Sequence, residues 1–142
     1  MSPLSSTKFL VRPAPLDDEY ILSYLERLRI ENGYSSIDLI CKTIFGTKIS
    51  LVDIVKGNFD KGLFSKYTNL DYEVINNLCI TDNKFYTSLS VHLCLECFKE
   101  INYIKKEWYL KNYICSQHKL PVVCRCFCCN TLFSFGILSS PV

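Results

Sequence analysis

Apolar positions recur at helical spacing through the first 80 residues, and that rhythm breaks near residue 81. Ile21, Tyr24, Leu25 and Leu28 fall at i, i+3, i+4 and i+7. They predict a helix that Asp17 or Asp18 caps and that runs to about Asn32, with Gly33 just beyond its end. Ahead of it, Phe9-Leu10-Val11 reads as a short strand or packed arm, and Pro13 and Pro15 block helix. Ile37, Ile40, Cys41 and Ile44 form a second apolar face, capped by Ser35 or Ser36 and ended near Gly46. Ser50 and Gly57 bracket a short third helix over Leu51–Val55. Between Leu63 and Leu78 the pattern gives a short helix, a tight turn around Thr68–Asn69, and a second helix whose face is Leu70, Val74, Ile75 and Leu78. Such a pair has the outline of a helix-turn-helix, although a plain bundle whose polar faces meet water produces the same pattern.

Thr81-Asp82-Asn83-Lys84 is turn-like, and Phe85–Leu93 is apolar without helical spacing. The expected organisation is therefore a helical domain over 1–86 and a second domain over 87–142. The expected fold class is mainly α with a small β zinc ribbon: the helical, helix-turn-helix-like domain precedes a C-terminal treble-knuckle zinc-binding module.

Composition sharpens this reading. With 49% hydrophobic and 21% charged residues the 142-residue chain can bury a core, so it is neither a disordered tail nor a fibre. The formal net charge of +2 is too balanced to argue by itself for a nucleic-acid coat or a membrane-surface protein. No apolar leader follows Met1 and no stretch approaches the length of a membrane span, so a cytoplasmic location and no membrane partner are expected. The nine cysteines then belong to a reducing compartment, where their odd number fits metal ligation better than disulfides. Cys41 and Cys79 lie on apolar helix faces and read as core.

Cys94-Leu95-Glu96-Cys97 is a C-x2-C pair, and Cys115-Ser116-Gln117-His118 follows it as a C-x2-H pair. A two-residue spacer lets a tight turn aim both side chains at one point. Two such knuckles supply the four donors that structural Zn²⁺ requires, so Cys94, Cys97, Cys115 and His118 are the expected ligands of one zinc. Four protein ligands fill the tetrahedron and leave no place for a catalytic water. No carboxylate sits beside a ligating histidine in an H-x-E or H-E-x-x-H arrangement. With no glycine-rich phosphate loop and no Ser/His/Asp arrangement either, an enzyme is not expected and no catalytic residue is assigned. Cys126 and Cys129 form a third knuckle. No Cys, His, Asp or Glu follows Cys129. A second zinc would therefore draw on Cys124 or Cys128, or on ligands from a partner.

Between the first two knuckles, Ile101, Tyr103 and Ile104, then Trp108, Tyr109 and Tyr113, suggest strands of a small ribbon. Lys99, Lys105, Lys106 and Lys111 interleave with those aromatics, a mixture suited to holding phosphates or stacking bases; ribbon packing with an exposed lysine edge gives the same pattern.

The run Phe9-Leu10-Val11-Arg12-Pro13-Ala14-Pro15-Leu16-Asp17-Asp18-Glu19-Tyr20, continued by Ser23, Arg27 and Asn32-Gly33-Tyr34, resembles the opening of the TniQ/TnsD family of transposition target selectors. The order Cys94-x2-Cys97, Trp108, Cys115-x2-His118, Leu120 and Cys126-x2-Cys129 is similar to that family's zinc pattern. The likeness covers roughly residues 9–133 and is weakest over 47–85. Leu95 and Ser116 stand where the family's knuckles usually carry proline, Lys119 where glycine usually follows the histidine, and Cys124 and Cys128 are extra. The resemblance implies a bacterial, non-enzymatic adaptor that helps select a DNA target and recruits an AAA+ ATPase and a transposase complex, in some members while seated on a CRISPR effector complex. Charge then nominates Arg12, Arg27, Arg29, Lys105, Lys106, Trp108 and Lys111 as DNA or partner contacts. The competing expectations are a zinc-ribbon helix-turn-helix transcription regulator and a protein-interaction module without DNA binding.

Overall fold

In the computed structural model, which describes residues 9–112 and 114–125, helices occupy the first half of the chain. They are α1 (Ile21–Glu31), α2 (Ile37–Phe45), α3 (Leu51–Lys56), α4 (Lys61–Thr68) and α5 (Tyr72–Leu78). Their apolar stripes are the expected ones: Ile21, Tyr24, Leu25 and Leu28 of α1 face Ile37 and Ile40 of α2 and Ile54 of α3 in a fully enclosed core. Ser36 caps α2 by accepting from the Leu39 N–H at 3.2 Å, and Asp60 caps α4 by accepting from Leu63 N–H at 3.1 Å. Among the described residues no helix is long and apolar enough to cross a membrane.

Gly57 ends α3 with φ +81, a left-handed conformation that disfavours a Cβ. A Cβ there would also meet the Cys79 side chain at 3.5 Å. Gly57→Ala should therefore cost about 1–2 kcal/mol and lower the melting temperature by several degrees in a thermal scan. Cys41 and Cys79 are enclosed as expected, and burial pushes each thiol up to about 12, so both behave as small apolar groups.

The start of α1 departs from expectation. Neither Asp17 nor Asp18 caps it; the helix begins at Ile21, with Tyr20 before it. Asp18 has φ +55 and sits in a turn closed by Glu19 N–H to Leu16 C=O at 3.1 Å. Its carboxylate is used at long range, accepting from the Glu107 N–H at 3.0 Å. That contact helps hold Lys106–Tyr109 as a single 3-10 turn rather than a ribbon strand. Around it the described chain makes isolated antiparallel bridges, Glu19 with Lys105, Phe85 with Leu110, Leu93 with Val123 and Ile114 with Pro121. One further short helix, α6 (Leu95–Phe98), lies inside the first knuckle.

The helices of the first half end at Leu78, bridged loops and the short α6 follow, and packing crosses the expected boundary at 86/87. Tyr20 stacks on Tyr109 at 4.0 Å between ring centroids, and His92 lies on the same ring at 4.5 Å. The Tyr20 hydroxyl donates to the Ser88 carbonyl at 2.6 Å, and the Tyr109 hydroxyl to that of Ser90 at 2.7 Å. One apolar core accordingly runs from Phe9 to Cys115.

Candidate metal centre

The two knuckles are built by ordinary turn chemistry. Cys94 precedes α6, and the Phe98 N–H donates to its carbonyl at 2.9 Å. Leu93 and Val123 exchange both backbone hydrogen bonds at 2.9 Å and fix where Cys94 begins. In the second knuckle, Lys119 N–H donates to Cys115 C=O and Cys115 N–H to Leu120 C=O, both at 2.9 Å. Lys119 makes that reversal at φ +57, a left-handed conformation that favours glycine. Ser116 has its own use: its hydroxyl and N–H both donate to the Glu107 carboxylate, at 2.8 and 3.1 Å. Asp18, Glu107 and Ser116 thus tie the entry to α1, the 3-10 turn and the second knuckle together.

These turns bring Cys94, Cys97, Cys115 and His118 to one point, with their ligand atoms all within 4.8 Å of one another. Cys97 Sγ lies 3.6 Å from Cys115 Sγ and 3.2 Å from His118 Nδ1, and Cys94 Sγ is 3.6 Å from the same nitrogen. A tetrahedron with Zn–S of about 2.3 Å and Zn–N of about 2.0–2.1 Å has edges of about 3.8 Å between sulfurs and about 3.6 Å from sulfur to nitrogen. The cluster is therefore the size of a tetrahedral site, presented by His118 through Nδ1, and it can hold a metal ion.

The charge balance of the cluster also suits a cation. Burial, reinforced by the Cys115 and Cys94 thiols alongside, pushes Cys97 up to about 12. Burial acts the same way on Cys115, but the N–H groups of His118 and Gln117, with help from the His118 ring, outweigh it and bring that thiol down to about 6. Three thiolates cannot share one small space unaided. A divalent ion supplies the missing positive charge and favours deprotonation of all three.

The remaining site expectations fare differently. Cys124 is half-buried and outside the four-ligand cluster; Cys126, Cys128 and Cys129 lie outside the described residues. Arg12 is exposed. Arg27 is bound to the buried Glu19 carboxylate, through Nε at 2.9 Å and a terminal nitrogen at 2.8 Å. Arg29 is bound to Glu26 at 2.7 Å and to the Tyr34 carbonyl at 3.2 Å. Both arginines hold the fold together instead of presenting a bare cation. Trp108 is fully enclosed, so as a base-stacking contact it is corrected to a core residue; its indole N–H has no partner among the described residues. Lys106 donates to the Asn77 carbonyl at 2.6 Å, Lys105 is half-buried, and Lys111 is exposed with its ammonium 5.8 Å from the Tyr86 ring centre. His92 belongs to the aromatic stack, where burial lowers its pKa despite its hydrogen bond to Trp108.

The polar group that sequence reasoning missed is Glu19. Its carboxylate is buried and accepts from Arg27, from the Ser23 hydroxyl at 2.8 Å and from the Leu16 N–H at 3.0 Å. Ser23 in turn accepts from the Ile104 N–H at 3.0 Å, which carries the network into the segment between the knuckles. The i, i+4 and i+8 spacing of Glu19, Ser23 and Arg27 is its one local signature.

No model of a known protein family and no curated protein sequence matches this chain.

Proposed function

We propose that this protein is a non-enzymatic, zinc-stabilised adaptor of the TniQ kind, which associates with DNA, helps select a transposition target, and recruits an AAA+ ATPase and a transposase. The observation that carries the reading is the four-ligand cluster of Cys94, Cys97, Cys115 and His118, which follows the ligand order of the resembled family. Zinc there has a structural role: four protein donors complete its coordination and no ligand position is left for substrate. The N-terminal resemblance adds support, because Glu19, Tyr20, Ser23, Arg27 and Asn32 are all engaged in positioning α1.

The α4–α5 pair is a weak candidate for reading bases. The α5 sequence, Tyr72–Leu78, contains Glu73 and no Lys or Arg. DNA contact is better assigned to the lysines near Phe85 and Tyr86. Titration of the zinc-loaded protein with duplex DNA at several salt concentrations tests the reading. Binding that weakens steeply with salt is expected. No binding at low salt would favour the protein-interaction module instead. That alternative has one observation of its own, an apolar groove of about 440 Å³ between α1 and the first knuckle, where Ile30, Leu95 and Phe98 are exposed.

A further inference from the structure

A second cleft, of about 610 Å³, opens on another face, between the end of α3 and the 80–87 segment. Its walls are fixed by backbone pairing. Ile80 N–H donates to Val55 C=O at 2.8 Å, Tyr86 N–H to Tyr109 C=O at 2.7 Å, and Lys111 N–H to Lys84 C=O at 3.0 Å. Phe85 and Tyr86, both half-buried, line it, together with the exposed Lys56 and Lys111. Lys84 stands beside them with its ammonium 5.6 Å from the Phe85 ring centre. The one acidic residue of the lining is Asp82, and its carboxylate accepts from the Lys84 N–H at 2.9 Å. Lys56, Lys84 and Lys111 thus stand around two aromatic rings, with Lys106 also over Phe85 at 5.8 Å and Asp82 the one carboxylate of the lining.

We propose that this cleft takes an unpaired nucleotide of a single nucleic-acid strand, its base against Tyr86 and Phe85 and its flanking phosphates on Lys56, Lys84 and Lys111. The rings decide for a single strand. They lie in a recess, and a base can reach them only with its face exposed, which a stacked duplex does not allow. The donor set favours a strand over a free nucleotide: it is lysine side chains from α3 and from the backbone-paired Lys84 and Lys111, without the converging backbone donors of a glycine-rich loop that gather a phosphate chain at one point, a motif this chain lacks. The inference rests on the DNA-associated reading above and adds to it an unpaired segment at the target.

The test uses the zinc-loaded full chain and three probes: a fluorescent oligothymidylate of about 12 nucleotides, a duplex of the same length, and thymidine monophosphate as competitor. Tyr86→Leu should weaken oligothymidylate binding by about 5- to 100-fold while duplex binding changes less than a few-fold. The exposed pair Lys56→Glu/Lys111→Glu, which leaves the core untouched, should weaken it too. That pair should reduce the slope of log affinity against log salt by about 1.4, at about 0.7 for each lost single-strand phosphate contact. Oligothymidylate binding unchanged in the lysine pair overturns the proposal, as does competition by the monophosphate as effective as by the strand. If duplex binding persists while the strand is ignored, the cleft proposal alone fails. If neither probe binds at low salt, the DNA reading fails with it.

Discussion

Replacing Cys115 by serine should empty the metal centre and unfold far more than the segment that holds it. Structural zinc contributes about 10–16 kcal/mol to the folding of zinc-finger peptides, whereas a whole domain is stable by about 5–15 kcal/mol. The Cys115 backbone is held between Lys119 and Leu120 and flanked by the Ser116–Glu107 contact. A hydroxyl in its place binds zinc poorly, and the two thiols and one imidazole that remain do not complete a tetrahedral site. The damage then travels. Glu107 carries the link to Asp18, Tyr109 stacks on Tyr20, and Ile104 bonds to both Tyr20 and Ser23 at the start of α1. Loss of the knuckles removes the surface on which α1 rests. Metal analysis should find about one zinc per wild-type chain and far less in Cys115→Ser, and the variant's far-ultraviolet helical signal should fall in step with its near-ultraviolet signal. Cys41→Ser is the control: that thiol is equally buried but far from the ligands in the core of α2, so zinc content should stay at the wild-type level. A wild-type chain without zinc would sink the metal assignment. Intact helices in metal-free Cys115→Ser would show that the helical half folds independently of the knuckles.

What was legible in the sequence follows from the range of each interaction. Helix faces repeat every three or four residues, and caps act within one turn, so Ile37–Ile44 with Ser36 and Gly46 could be read locally. The knuckles are also local objects: two residues between ligands, twice, mark a turn that needs no knowledge of the rest of the chain. The misreadings share the opposite property. Asp18 looks like a helix cap because its neighbours are helical, but its real partner, Glu107, is 89 residues away. Aromatics and lysines over 101–113 imitate a half-exposed strand. Trp108 and Tyr109 are nevertheless adjacent and both fully buried, which a strand packed on one face would not do; a 3-10 turn pressed between α1 and the knuckles does. Even the charges nominated for DNA illustrate this. Net charge is a property of the sequence, but whether Arg27 is available depends on a carboxylate that only the fold brings to it.

That carboxylate supports the second large prediction. Glu19→Ala should cost about 3–5 kcal/mol, because it takes the carboxylate from a largely buried guanidinium, which keeps the Ala14 carbonyl, and leaves two other donors with nothing to bond. Arg27 Nε and its terminal nitrogen, the Ser23 hydroxyl and the Leu16 N–H all converge on the two Glu19 oxygens. Glu19 is fully enclosed as a side chain, while Arg27 keeps about a quarter of its surface in solvent (23%), so the two single variants are not equivalent. Arg27→Met strands the more deeply buried group, but that carboxylate still accepts from Ser23 and Leu16, which softens the loss. Glu19→Ala leaves a guanidinium that cannot be neutralised at any accessible pH. Glu19→Ala should therefore be the worse of the two in urea denaturation, and the double variant should be less destabilised than the two single effects added together. Ser23→Ala offers an independent measure of the link across residue 86/87. It frees the buried Ile104 N–H and should destabilise by about 1–3 kcal/mol, with the loss seen equally by a helix signal and by the release of zinc to a chelator. Release of zinc at the wild-type rate from a Ser23→Ala protein whose helices melt early would mean that α1 and the metal centre are neighbours without being coupled.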